Sequence, residues 1–419
     1  MNKLEVFGAK KLKGKIYVSG SKNAALPILA ATILSNKKIV LRNIPNVKDI
    51  ETMLKLLQSI GSEIKYSKKK SLVTIQNKKK LKTFASYNLV KTMRAGILVL
   101  GPMLARYGNA KVSTPGGCSI GVRPIDIHLK TLSKLGANYK IVNGYVYAST
   151  NKKLKGAKIK FPKISVGATE NLIIASSMAE GNTILSNCAI EPEIKDLVNF
   201  INCIGGKIKW IGKRTLRIQG VSYFNQKEYT IMSDRIEAGT YLIAAAVTEG
   251  DLKIYGINPN IIKTEIDILR KIGIKIKTEK ELIKVSGIKD IKNINLKTAP
   301  YPGFPTDLQA QLMVLLCKSN KHSVISEEIF ENRFMHVAEL NRMGAKIKTK
   351  GNKAFIEGNI KFKAAELMAT DLRASVSLIL AALMAKGKTT ISRIYHLDRG
   401  YEKIEKKLRK VGAKIKRVS

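Results

Sequence analysis

The sequence predicts an α/β protein with two domains, each made of three copies of one β-α-β-α-β-β unit. Three observations point there. A hydrophobic residue, a glycine and an alternating strand recur in that order six times. The glycines are Gly61, Gly136, Gly205, Gly273, Gly344 and Gly412, spaced 68 to 75 residues apart. Six apolar segments, each followed by a turn and a short strand, stand one ahead of each junction. Finally, 419 residues are too many for one hydrophobic core, so six units divide into two groups of three.

Each element has a local reason. A glycine just past the last helical turn supplies the left-handed C-cap that other residues resist. The alternation after it, as in Ala345-Lys346-Ile347-Lys348, marks a half-buried strand. The apolar helices are expected over 24–34, 94–104, 169–179, 235–247, 306–317 and 371–384. They are apolar on nearly every side, which suits burial inside a domain rather than on its skin. The strands after them are expected at 38–41, 110–113, 183–186, 252–255, 323–325 and 389–392. A period near 70 is too long for the common solenoids.

The charge is unusual: 75 Lys+Arg against 31 Asp+Glu, a net +44. Such an excess raises nucleic acid, an anionic membrane or anionic small substrates as partners. The lysines fall in turns and at alternate strand positions, with no aromatic residues interleaved along the chain. The expectation is therefore a solvated basic surface and no nucleic-acid partner. The four cysteines, Cys118, Cys188, Cys203 and Cys317, are too far apart in sequence to form a zinc motif. No metal or cofactor is expected, nor a membrane span, since the longest apolar runs are far too short. Without a secretory signal or paired cysteines, the expected compartment is the reducing cytoplasm.

The chemistry concentrates in the loops after the second strand of each unit. One of them, Pro115-Gly116-Gly117-Cys118-Ser119-Ile120-Gly121-Val122-Arg123-Pro124-Ile125-Asp126, carries a single thiol among three glycines. Arg123 suits a phosphate or carboxylate, and a nearby cation favours the reactive thiolate. Asp126 looks like the N-cap of a helix over 127–135. The other loops hold Lys48-Asp49, Glu191-Pro192-Glu193, Asn258-Pro259-Asn260, Glu331-Asn332-Arg333 and His396-Leu397-Asp398-Arg399. Pseudo-symmetric units place such loops at equivalent ends, and two domains facing each other would pool them into one small-molecule cleft.

These motifs carry a resemblance. Gly20–Pro27, Met93-Arg94-Ala95, Pro115–Asp126, Lys163–Thr169, Pro302–Asp307, Phe330–Phe334, Thr370–Arg373 and His396–Tyr401 stand in the order found in one family. The chain closely resembles, from end to end, the UDP-N-acetylglucosamine 1-carboxyvinyltransferases of the enolpyruvyl transferase family. The resemblance implies a two-domain inside-out α/β barrel, helices within and sheets without. One domain would span 22–227, and the other 1–21 with 228–419, with the active site in the cleft between them. Departures are mild: Ser119 stands where Ala or Thr is common, and Gly96 where Ser is common.

The resemblance also implies a reaction. The 3′-hydroxyl of UDP-N-acetylglucosamine adds to C2 of phosphoenolpyruvate while C3 gains a proton. Phosphate then leaves, giving the enolpyruvyl ether that begins peptidoglycan synthesis. By resemblance, Lys22, Arg123, Arg373 and Arg399 gather around phosphoenolpyruvate, a role that suits bidentate arginines. Cys118 matches the thiol that adds to phosphoenolpyruvate and donates a proton, the target of the epoxide fosfomycin. Asp307 matches the base that takes the sugar hydroxyl's proton. Asn23, Arg94, Arg123, Pro124, Ile125, Asp126, Ile127, Lys163, Ile164, Ser165, Val166 and Ile329 match positions that hold the nucleotide sugar. Simpler uses compete at some positions. Asp307 also suits a helix cap, Arg373 a partnership with Asp371, and His396 plain packing. Cys188, Cys203 and Cys317 read as inert core thiols. Two other functions compete: a 5-enolpyruvylshikimate-3-phosphate synthase-like transferase, a family that lacks the cysteine, and a basic nucleic-acid-binding repeat protein.

Overall fold

The computed structural model describes residues 3–8, 10–116 and 125–418. Six four-stranded sheets follow the six repeats. Each of the first five repeats gives a β-hairpin, and the strand after its apolar helix pairs antiparallel with one hairpin arm; in the sixth, Lys3–Phe7 stands in for the second arm. Ile39–Arg42, for example, lies beside Leu72–Asn77, which pairs in turn with Ser62–Ser67. The six junction glycines have φ between +91° and +110°, the left-handed cap that the repeat pattern requires.

Two compact units result among the described residues: 20–116 with 125–232, and 3–8 and 10–19 with 233–418. The first runs past Lys227 because Lys227–Thr230 adds to its sheet, parallel to Ile39–Arg42. In the second, the N-terminal Lys3–Phe7 lies antiparallel between Lys388–Ser392 and Lys414–Val418. Lys13–Tyr17 runs parallel to Asp251–Tyr255. The chain's beginning therefore completes the sheets of its end.

Within each unit the helices are central and the sheets peripheral. Arg235–Val247 is buried at every residue, and it packs with Gln309–Leu316 and Leu372–Met384. In the other unit, Leu100–Tyr107 packs on Val166–Ser176, and Lys22–Ala31 on Pro192–Cys203. Each unit has its own apolar core. The strands keep the alternation read from the sequence, with Leu216 and Ile218 buried while Arg217 and Gln219 face solvent.

Three local expectations need correcting. The helix expected over 94–104 is a 3-10 turn, Arg94–Val99, followed by Leu100–Tyr107. Pro102 brings no N–H to the ladder, and the Gly101 N–H goes to Asn171 Oδ1 at 2.8 Å. The helix expected over 306–317 likewise starts as a 3-10 turn, Thr306–Leu308. Asp126 is not an N-cap. It is the first residue of Asp126–Ser133, whose cap position is Ile125 with no side-chain bond, and its carboxylate lies 3.9 Å from Lys130.

Candidate functional site

The candidate residues divide between the units. In residues 20–232, Ser21 caps the helix Lys22–Ala31, its hydroxyl accepting from the Ala24 N–H at 3.3 Å. That cap sets Lys22 and Asn23 in the first turn, among N–H groups that favour an anion. The Lys22 ammonium donates to Asp49 Oδ2 at 3.1 Å, and the two side chains are 12% and 6% exposed. So enclosed a pair is poorly screened, and Asp49 holds the ammonium in one place.

Arg94 is half-buried at the start of its 3-10 turn. Close to it is a residue the sequence reading passed over, His128. It is buried, and burial pushes its imidazole down to about 4, with Arg94's charge adding to the effect and Asp126 opposing it. Asn171 fixes the tautomer. Its Oδ1 accepts from Gly101 N–H, so its amide N–H faces His128 Nδ1 at 3.2 Å. The ring proton then sits on Nε2. A Cβ at Gly167 would lie 3.2 Å from Cε1 and 3.3 Å from that nitrogen, a tight contact that glycine avoids. The available signal was a histidine two residues beyond Asp126, with Asn171 on a buried helix.

Ser165 caps Val166–Ser176 through Ala168 N–H at 3.4 Å, which fixes Lys163, Ile164, Ser165 and Val166 at a helix entry. A cavity of about 500 Å³ opens beside it. Asp126, Ile127, Lys130, Thr131, Lys134, Lys160, Pro162 and Lys163 line it. Three of these were expected from the sequence; Lys130, Lys134 and Lys160 add cations that were not. Elsewhere in this unit, burial together with Glu193 and Glu191 pushes the Glu170 carboxyl well up. Cys118, Arg123 and Pro124 lie outside the described residues; Ile125 is buried.

In the second unit, Asp307 lies in the 3-10 turn Thr306–Leu308, and both of its oxygens are occupied. Arg333 Nη2 donates to Oδ1 at 2.7 Å and Arg373 Nη2 to Oδ2 at 2.7 Å. Arg373 therefore does not pair through its guanidinium with Asp371. Asp371 instead caps Leu372–Met384, accepting from the N–H groups of Arg373 and Ala374. The Arg373 guanidinium also donates to Tyr401 Oη at 3.3 Å. Arg333 was visible in a sequence motif, but only its contact with Asp307 makes it a site residue.

Glu327, also missed, is buried and ties this region together. It accepts from Thr298 and Thr306 hydroxyls and from the Ile329 and Phe330 N–H groups. Arg399 is half-buried in the turn Leu397–Arg399. His396 packs against Tyr395, ring centres 4.2 Å apart.

The other thiols differ from one another. Burial pushes Cys188 and Cys317 up to about 12. Cys203 is only half-buried, its sulfur 3.8 Å from the Glu228 carbonyl, so it is not the core thiol expected. Among the described residues, no cluster of three or more His, Cys, Asp or Glu is placed to hold a metal. Nor is any described helix long and apolar enough to cross a membrane.

Comparison with known proteins now adds to this geometry. Residues 6–408 match the family described as EPSP synthase (3-phosphoshikimate 1-carboxyvinyltransferase). A UDP-N-acetylglucosamine 1-carboxyvinyltransferase of Pelagibacter ubique is 72% identical over 419 residues, covering all of both chains. One from Acinetobacter baylyi is 49% identical over 423 residues, again covering both chains fully. The enolpyruvyl transferase NikO of Streptomyces tendae superposes with a TM-score of 0.91 at 22% identity, covering 100% of this chain and 99% of its own. At that identity the likeness shows the fold. The chain belongs to the enolpyruvyl transferase family, within the branch of the UDP-N-acetylglucosamine 1-carboxyvinyltransferases.

Proposed function

We propose that this protein transfers the enolpyruvyl group of phosphoenolpyruvate to the 3′-hydroxyl of UDP-N-acetylglucosamine, releasing phosphate. The observation that carries the reading is the 72% identity, over the full length of both chains, to a transferase of that name. The geometry supplies matching chemistry. The lysine-lined cavity suits the diphosphate and its capped helix entry the sugar nucleotide, so Asp126, Ile127 and Lys163–Val166 are assigned there with Asn23, Arg94, Arg123, Pro124, Ile125 and Ile329. Lys22, held by Asp49, binds phosphoenolpyruvate together with Arg123, Arg373 and Arg399.

Two protons move. Cys118 gives one to C3 of phosphoenolpyruvate, and Asp307 takes one from the attacking hydroxyl. Asp307 begins with both oxygens engaged by Arg333 and Arg373. Each oxygen keeps a second lone pair on which the proton can be taken. Arg373 keeps further N–H groups for the carboxylate or phosphate of phosphoenolpyruvate, so base and anion site are coupled through one guanidinium. The product would feed peptidoglycan synthesis in the cytoplasm.

The test is phosphate release from phosphoenolpyruvate with each acceptor in turn. UDP-N-acetylglucosamine should give turnover and shikimate 3-phosphate none. Turnover with shikimate 3-phosphate alone would replace this reading.

A further inference from the structure

Along the chain no aromatic residues interleave with the lysines, but across one sheet they do. In the sheet of Phe84–Ala85, Asn109–Ser113, Tyr145–Ser149 and Asn138–Val142, the register sets Phe84, Lys111, Tyr147 and Lys140 side by side in one row. Tyr145 stands in the next row, between Ser113 and Val142. Asn109, Ser149 and Asn138 form the row on the other side. The alternate residues Ala85, Ala110, Val112, Val146 and Ala148 are buried, so these rows occupy the outer face.

The face is basic; Lys111, Tyr145 and Tyr147 are half-exposed on it, and Ser113 at its edge is buried. Phe84 is 43% exposed and Val142 41%. Lys111 Nζ lies 5.1, 5.0 and 4.9 Å from the ring centres of Phe84, Tyr145 and Tyr147, and Lys140 5.9 Å from Tyr147. The rows contain no carboxylate. Between Ile64 and Thr169, Asp126 is the only acid against 22 lysines and arginines. Other outer faces are different. On the sheet of Lys3–Phe7, Glu5 pairs with Lys388 and Lys416. Around Tyr17 and Tyr255, whose rings stack at 5.2 Å, the strands carry Asp251 and Glu279.

We propose that this sheet face binds single-stranded nucleic acid. Rings supply stacking surfaces that any base can use, the lysines meet phosphates, and the amide of Asn138 reaches a base edge, whereas that of Asn109 is held by Thr83 and the Tyr107 carbonyl. Strands lie about 4.8 Å apart and same-face residues about 6.7 Å apart along a strand, so one base on Tyr147 and one on Phe84 or Tyr145 fit side by side. On binding, each lysine leaves its ring for a phosphate and a base takes its place. A purely acidic polymer would satisfy the lysines and leave the rings unused. An anionic membrane would meet the same lysines without stacking on the rings or using the Asn138 amide.

The test is anisotropy of a fluorescein-labelled 12-nucleotide single-stranded RNA with the full chain at about 150 mM salt. A Kd of roughly 1–100 μM is expected, the scale of phosphate-driven binding. Tyr147→Ala should weaken it about tenfold or more, since each stacked base contributes roughly 1–3 kcal/mol. Lys111→Ala with Lys140→Ala should lower the log–log salt slope by about 1.4, at ~0.7 per phosphate on a single strand. Lys346→Ala with Lys348→Ala removes equal charge from another sheet and should change little. None of these residues takes part in the proposed reaction, so phosphate release reports whether each variant is folded. If Tyr147→Ala fails that check, Tyr147→Leu, which keeps the strand's bulk, replaces it. The proposal is overturned if RNA does not bind at about 100 μM protein. It is overturned if the two lysine pairs weaken binding equally while Tyr147→Ala does nothing. Heparin or phosphatidylglycerol vesicles showing the same dependence on Tyr147 as RNA would also overturn it.

Discussion

Asp307→Asn should damage stability and turnover together, and the structure sets the scale of each. Asn keeps one oxygen for a guanidinium but removes the charge shared by Arg333 and Arg373, whose side chains are 5% and 6% exposed. Removing one partner of a buried pair typically costs about 3–5 kcal/mol, because the remaining charge is stranded. Asp307 is itself 27% exposed, so water recovers part of that, and about 2–3 kcal/mol is the expected loss. For a cooperative unit of this size, each kcal/mol lowers Tm by roughly 2–4 °C, giving a fall of about 4–12 °C. Turnover should fall about a hundredfold or more with the loss of a general base. Arg333→Gln separates the two effects: it leaves the carboxylate on Arg373 and should lower Tm while sparing more of the turnover. Calorimetry and phosphate release on the same samples decide. Asp307→Asn with an unchanged Tm would mean that the two guanidiniums do not depend on its charge. A turnover within a few-fold of wild type would remove Asp307 from the base role.

Other expectations follow from the same geometry. Asp49→Ala should raise the KM for phosphoenolpyruvate about tenfold or more by releasing Lys22, one charge-assisted bond being worth roughly 1.5–3 kcal/mol, with UDP-N-acetylglucosamine binding by calorimetry nearly unchanged; equal losses for both ligands would contradict it. Cys118 should react first with fosfomycin or iodoacetamide and Cys203 next, because burial pushes Cys188 and Cys317 up to about 12; peptide mapping that finds Cys188 or Cys317 labelled first would refute this. His128 goes from an ordinary 6.5 unfolded to about 4 folded, so the unfolded chain takes up the extra proton and stability falls as pH drops from about 6.5 to about 4. The full effect is about 3 kcal/mol, and His128→Asn should remove that part of the urea-melt pH dependence; identical slopes for both proteins would refute it.

The repeat was legible because it is written in local physics. A glycine forced to positive φ and an alternating strand are short-range demands, so Gly61 through Gly412 could be read one at a time. The buried helices were legible for the same reason, being apolar all round. What stayed hidden is what pairs residues distant in the chain. Nothing near Asp307 says that Arg333 and Arg373 will take its two oxygens, and in sequence Arg373 suits a partnership with nearby Asp371 as an alternative to anion binding. The Lys22–Asp49 pair and the His128–Asn171 bond join separate elements in the same way. The row behind the nucleic-acid proposal was hidden for the same reason. Phe84, Lys111, Lys140 and Tyr147 are far apart in sequence and become one row only through strand register. The repeat itself explains the pattern. It specifies backbone six times over, leaving outer strand positions and loop tips free to differ. Chemistry then resides in what differs between copies, and it becomes visible only when the copies are brought together.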